Sequence, residues 1–170
     1  MDAEQVKRGN LTPVDAPDAG TGSLDDAVVA EVTVNRAAPE TFALFLDTLG
    51  DWWPLRDYSL APDVVAIEVE RRLGGHVIEV HGDGSRATWG TLVTWEPPHR
   101  FAMDWYITPG LERTIVTVTF RSLGSRLTKV TLVHSGWQAV DPALLPARHG
   151  YTEGWAKILR CFARSVGSGE

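Results

Sequence analysis

The sequence predicts an α+β domain. A curved antiparallel sheet of about six or seven strands wraps around one long C-terminal helix, and two short helices follow the first strand. Three observations predict this. The stretch from Arg86 to Trp137 holds four strand-like runs in succession, with no helical pattern between them. The last apolar segment, about Pro146 to Val166, repeats at helical spacing. The strands cluster between helical elements and do not alternate with them as in βαβ units.

The first strand covers Ala27 to Arg36, where Val28, Ala30, Val32 and Val34 form one stripe. Ala38-Pro39-Glu40 then opens a helix, because proline loses nothing in a first turn and an acid suits the positive end of the helix dipole. Phe42, Phe45, Leu46 and Leu49 recur at helical spacing, and Gly50 is expected to stop the helix. Asp51-Trp52-Trp53-Pro54 begins a loop or a short second helix. Val64 to Arg71 reads as the second strand, with Val65, Ile67 and Val69 on one face. Leu73-Gly74-Gly75 is a turn that tolerates positive φ. His76 to His81 is the third strand, and Gly82-Asp83-Gly84 a tight turn.

In the meander, Phe101, Met103 and Trp105 alternate with Ala102, Asp104 and Tyr106. Val116, Val118 and Phe120 alternate with Thr117, Thr119 and Arg121, and Val130, Leu132 and His134 with Thr131, Val133 and Ser135. A period of two with β-branched and aromatic residues marks a strand with one buried face. Pro97-Pro98, Pro109-Gly110 and Gly124-Ser125 punctuate the turns. In the final helix Tyr151, Trp155, Ile158, Leu159 and Phe162 form the apolar stripe. Lys157, Arg160 and Arg164 lie opposite, and Gly167-Ser168-Gly169 ends it.

The 170 residues suit one domain, residues 27–167, with a sizeable core. Residues 1–26 carry glycines, prolines and six acids without apolar periodicity, and read as a flexible acidic tail. A net charge of −6, from 16 basic and 22 acidic residues, argues against nucleic acid and anionic membranes. The single cysteine, Cys161, allows no intrachain disulfide, and no signal peptide or membrane span is visible. The cytoplasm is the expected location. Seven tryptophans, Trp52, Trp53, Trp89, Trp95, Trp105, Trp137 and Trp155, suit either a well-filled core or an aromatic-lined pocket.

The sequence carries few marks of chemistry. Gly82-Asp83-Gly84 lacks the context and the lysine of a phosphate loop. His76 and His81 lie five apart on one strand and face opposite sides. No histidines or cysteines share the spacing of a metal site. Cys161 reads as a small buried hydrophobe, His134 and Ser135 diverge on their strand, and no nucleophile elbow occurs. No catalytic residue, metal or cofactor is therefore assigned.

One acid stands out. If Val77 faces inward after the Gly74-Gly75 turn, Glu79 does too. An inward acid in an aromatic-lined space needs partners and is a candidate functional group. In the opposite register Ile78 and Val80 face in and Glu79 is solvated. His134 is either the companion of an inward Glu79 or a satisfied core histidine. A sheet gripping a helix leaves a gap, which is either filled by large side chains or kept as a ligand cavity.

Several motifs, in order, resemble a known family. They are Val34-Asn35-Arg36-Ala37-Ala38-Pro39-Glu40, Asp51-Trp52-Trp53-Pro54, Gly74-Gly75 with Glu79, and Trp89-Gly90. Trp95-Glu96-Pro97-Pro98-His99-Arg100, Trp105, His134-Ser135-Gly136-Trp137, and Tyr151 with Gly154-Trp155 complete the set. Together they resemble the START-like helix-grip (SRPBCC) superfamily. Within it they resemble the family homologous to the activator of heat-shock-protein-90 ATPase. The resemblance spans about Ala27 to Val166. It implies the helix-grip fold and favours the inward register for Glu79. The superfamily carries binding proteins, lipid carriers, cyclases and co-chaperones, so fold alone does not name a function.

The expected function is non-catalytic binding of a small apolar molecule, a lipid or an aromatic compound, in an internal cavity between the sheet and the last helix. The candidate ligand-binding residues are Trp53, Val69, Val77, Glu79, Trp89, Met103, Trp105, Val118, His134, Tyr151, Trp155 and Leu159. One alternative, implied by the resemblance, is a co-chaperone or stress-response module with a chaperone partner. Another is a cyclase- or hydrolase-type enzyme using Glu79 as general acid or base. Monomer and dimer are both compatible with the sequence.

Overall fold

The structure, a computed structural model, describes residues 26–167. The acidic tail expected over residues 1–26 lies outside the described residues, except for Asp26, which pairs with Arg148 at 3.2 Å. Ser168 and Gly169 lie outside them as well.

The elements run β1 (Val28–Val34), α1 (Ala38–Asp47), α2 (Leu49–Trp52), β2 (Val64–Val69), β3 (His76–His81) and β4 (Arg86–Glu96). Then come β5 (Arg100–Asp104), β6 (Ile115–Gly124), β7 (Leu127–Ser135) and α3 (Ala147–Gly167). Two single 3-10 turns, Trp137–Ala139 and Pro142–Leu144, link β7 to α3. The seven strands form one sheet in the order β1-β7-β6-β5-β4-β3-β2, antiparallel at every junction. This is the predicted α+β helix-grip.

The alternating stripes dictate which face closes on α3. Phe101 and Met103, Val116, Val118 and Phe120, and Val130, Leu132 and His134 are all buried on the concave side. From α3, Trp155, Ile158, Leu159, Phe162 and Val166 are buried against them. Each such side chain contributes about 1.5–3 kcal/mol of burial. Lys157, Arg160 and Arg164 stay exposed. Phe42 and Phe45 of α1 plug one end of the grip. Phe45 meets Phe120 at 5.4 Å and Phe162 at 4.9 Å between ring centroids, both edge to face.

Two details depart from the sequence expectation. Gly50 does not stop a helix: α1 ends at Asp47, and Gly50 lies inside α2. The break falls at Thr48, whose hydroxyl donates to the Leu44 carbonyl at 2.7 Å and competes for helix carbonyls. Val65 does not share a face with Ile67 and Val69. A bulge between Val64 and Ala66 turns it outward, where it is 66% exposed.

Candidate functional site

Val77 and Glu79 of β3 both face inward, so the register that buries the acid is the one adopted. The neighbouring strand makes this tolerable. The register between β3 and β4 slips at Val77/Ile78, opposite Gly90 and Thr88, leaving Trp89 as the extra residue of a bulge. Trp89 is thereby turned inward and wholly buried. Its indole N–H donates to Glu79 Oε2 at 2.6 Å, and the Leu60 N–H donates to the same oxygen at 3.0 Å. Glu79 Oε1 lies 2.7 Å from His81 Nε2. Glu79 therefore has full hydrogen bonding despite zero exposure.

His81 is the residue that sequence reasoning missed. Val77, Glu79 and His81 share a face by the same period of two, so the signal was present. His81 Nδ1 contacts the Ser85 hydroxyl at 2.8 Å. The hydrogen bond to Glu79 raises the imidazole pKa above its ordinary 6.5.

His134 was a candidate companion of Glu79 and is not one. It accepts at Nδ1 from Trp155 Nε1 at 3.1 Å, and its Nε2 contacts the Thr114 hydroxyl at 2.8 Å. Thr114 in turn donates to the Leu111 carbonyl at 2.7 Å. An imidazole that accepts at Nδ1 must carry its proton at Nε2, so the chain runs Trp155, His134, Thr114, Leu111 in one donor direction. Burial depresses the His134 pKa to about 3, and the ring stays neutral. It is a satisfied core histidine.

The gap between sheet and helix is filled. Trp53 meets Trp89 at 4.8 Å and Trp155 at 5.9 Å between ring centroids. The void remaining among Trp53, Val77, Trp89, Met103, Val118, Trp155 and their neighbours measures about 20 Å³, and its lining is apolar. That is room for about one water, with no polar partner to hold it. The expected internal cavity is therefore corrected: indole volume occupies it.

Space opens instead at one mouth of the grip. A half-open cleft of about 300 Å³ lies between α3, the loop after α2 and the loop after β5. Trp53, Tyr58 and Ser59 line one side, Trp105, Ile107 and Thr108 another, and Gly150, Tyr151, Gly154, Trp155 and Ile158 the floor. Tyr151 and Trp155 stack at 5.8 Å with an interplanar angle of 29°. Gly150 and Gly154 keep that stretch of helix low. A Cβ at Gly150 meets nothing within 4 Å, and one at Gly154 comes to 3.3 Å of the Tyr58 ring. The loop wall is tied down by Trp53 Nε1 donating to the Tyr58 carbonyl at 2.8 Å and by Lys157–Asp57 at 3.0 Å.

Of the twelve predicted residues, Trp53, Trp105, Tyr151 and Trp155 come together at this cleft. Val77, Trp89, Met103 and Val118 line the small interior void. Leu159 is wholly buried core, Val69 packs at its edge, and Glu79 and His134 line neither space. Thr108, Ile107, Tyr58 and Gly150 belong to the cleft and were not foreseen, because loop positions carry no periodicity. Cys161 is half-buried, within 3.6 Å of Arg164. Among the described residues no group of three or more His, Cys, Asp or Glu side chains is placed to hold a metal ion. No helix among them is long and apolar enough to cross a membrane.

A seven-stranded grip around one long helix, with a cleft at its mouth, defines a START-like (SRPBCC) protein. The family model for activator of Hsp90 ATPase homolog 1-like proteins matches residues 38–167, and the chain belongs to that family. No curated protein sequence matches it. Among solved structures it is similar to a self-sacrificing resistance protein, CalC from Micromonospora echinospora. That match has 25% identity and a TM-score of 0.62, covering 84% of this chain and 95% of the other. It is also similar to an anthrahydroquino-γ-pyrone synthase, at 28% identity and a TM-score of 0.55, covering 81% and 95%. The Aha1 dimer from Colwellia psychrerythraea shares the fold, at 12% identity and a TM-score of 0.61, covering 85% and 98%.

Proposed function

We propose that this protein binds a small aromatic or otherwise apolar molecule in the cleft at the mouth of the grip, without catalysis of its own. The observation that carries the reading is the cleft itself. Its volume of about 300 Å³ sits at the lower end of ligand sites. Its floor and walls are the rings of Trp53, Trp105, Tyr151 and Trp155. The two solved relatives of highest identity reported above are a synthase named for a fused-ring product and a resistance protein, and both kinds of name fit small-molecule handling. Acid–base catalysis by Glu79 gains no support, because that side chain lies off the cleft behind Trp89.

The test is tryptophan fluorescence titrated with fused-ring aromatic compounds and fluorescent fatty acids. Saturable quenching is expected for the aromatic compounds. Absence of saturation across both sets sinks the reading. The family match favours a second reading, a chaperone partner. A pull-down with heat-shock protein 90, with its ATPase rate measured, separates the two: stimulation by this protein supports the second.

A further inference from the structure

We propose that the Thr108–Tyr151 hydroxyl pair presents one hydrogen-bond donor to the occupant of the cleft, so that the cleft selects flat aromatic compounds bearing a carbonyl oxygen. This rests on the ligand-binding reading above. Trp105 Nε1–H donates to the Tyr151 hydroxyl at 2.8 Å, and the Tyr151 and Thr108 hydroxyl oxygens lie 2.5 Å apart.

Three polar hydrogens enter this chain, from the indole, the phenol and the threonine, and two contacts use them. One hydrogen is left over in either arrangement. If Tyr151 donates to Thr108, the threonine hydrogen is left. If Thr108 donates to Tyr151, the phenol hydrogen is left. Among the described residues neither hydroxyl has a further partner to receive it. Both residues line the cleft, so the leftover donor faces the ligand space. Burial raises the Tyr151 pKa, which keeps the phenol protonated.

The chemistry follows from what surrounds this donor. Tyr151 is the half-buried ring at the cleft surface, backed by the nearly wholly buried Trp105 and Trp155, and an apolar wall of this kind suits a flat aromatic body. The one carboxylate on the wall, Asp57, is paired with Lys157. A ligand without an acceptor desolvates the donor and leaves it unpaired, and binds about tenfold more weakly than its carbonyl counterpart.

The experiment compares 9-fluorenone with fluorene, which carry a carbonyl and a methylene group at the same ring position, by equilibrium dialysis against the full chain. Wild type is expected to bind fluorenone about tenfold more tightly. Thr108→Val alone and Tyr151→Phe alone each keep most of that preference, because the remaining hydroxyl then carries the leftover hydrogen. The double variant erases the preference, so that it binds the two probes with equal affinity. If the double variant does not fold, the infrared carbonyl stretch of fluorenone bound to wild type decides. A shift below its frequency in cyclohexane supports the donor. Equal affinity for the two probes in wild type, or an unshifted stretch, overturns this inference and leaves ligand binding standing. Binding of neither probe overturns the underlying reading, and this inference with it.

Discussion

The indole of Trp89 donates to Glu79 Oε2 across 2.6 Å with both side chains wholly buried. This bond ties a bulge on β4 to an inward acid on β3, and the same oxygen holds the Leu60 N–H of the loop whose earlier residues wall the cleft. Glu79 thus acts on the cleft only through the scaffold. His81 completes the set from the mouth of the same strand face.

Removing the carboxyl group by Glu79→Ala strands one buried donor, the Trp89 N–H, and takes the acceptor from the partly buried Leu60 N–H. The expected loss is about 3 kcal/mol in denaturant unfolding. Glu79→Gln costs less, because its amide oxygen accepts from both donors while its NH₂ group donates to neutral His81. It also changes the pH response. The His81 pKa is raised by Glu79, so its stabilisation is present below 6.5 and is lost as pH rises through the higher folded value. Wild type is expected to lose stability relative to the Gln variant as pH rises above about 6.5. Parallel profiles for the two proteins would contradict the pairing.

His134 works in the opposite direction. Its folded pKa of about 3 lies below the ordinary 6.5, so protonation favours the unfolded chain. Stability is therefore lost as pH falls below 6.5, by about 2 kcal/mol at about pH 5. His134→Gln keeps an acceptor for Trp155 and a donor for Thr114, and is expected to flatten this acid slope. Urea midpoints measured across the acid range check it, and an unchanged slope in the variant assigns the effect elsewhere.

Most of the framework was legible because a period of two survives in β1, β5, β6 and β7, and one of 3.6 in α3. Bulges were not legible. Val65 and Trp89 each sit where one extra residue re-aims a side chain, and neither site carries a local mark in the sequence. The filled interior was equally hidden. Tryptophan count fixes indole volume, but whether Trp53, Trp89 and Trp155 fill the gap depends on how sharply the sheet curls. His81 was readable from Val77 and Glu79 by the same alternation. The cleft was only half readable, since Tyr151 and Trp155 follow from the helix stripe, whereas Tyr58 and Thr108 arrive on irregular loops.

Gly90 marks a close approach between β4 and the end of β5. A Cβ there would lie 1.9 Å from the Asp104 carbonyl oxygen, a backbone atom that cannot rotate away. Gly90→Ala must push the strands apart and disturb Tyr106 N–H donating to the Trp89 carbonyl at 2.7 Å. The expected cost is about 3 kcal/mol, or a fall in Tm of about 10 °C. A thermal melt reads it directly, and a wild-type Tm would show that the approach is looser than described.

Gly150 gives the cleanest separation of cleft from core. It sits in the first turn of α3, lines the cleft, and has nothing within 4 Å of the position a Cβ would take. Gly150→Leu therefore adds a branched side chain at the cleft of about 300 Å³, its Cβ meeting no neighbour. Replacing glycine within a helix gains up to about 1 kcal/mol, so Tm is expected to hold or rise by a few degrees. Binding of aromatic probes is expected to weaken by about tenfold or more, because the leucine occupies their place. Leu159→Ala is the opposite case: it opens a hole in the wholly buried core, costs about 3 kcal/mol and leaves cleft affinity nearly unchanged. If Gly150→Leu binds the probes as wild type does, the ligand does not sit against α3 at this mouth.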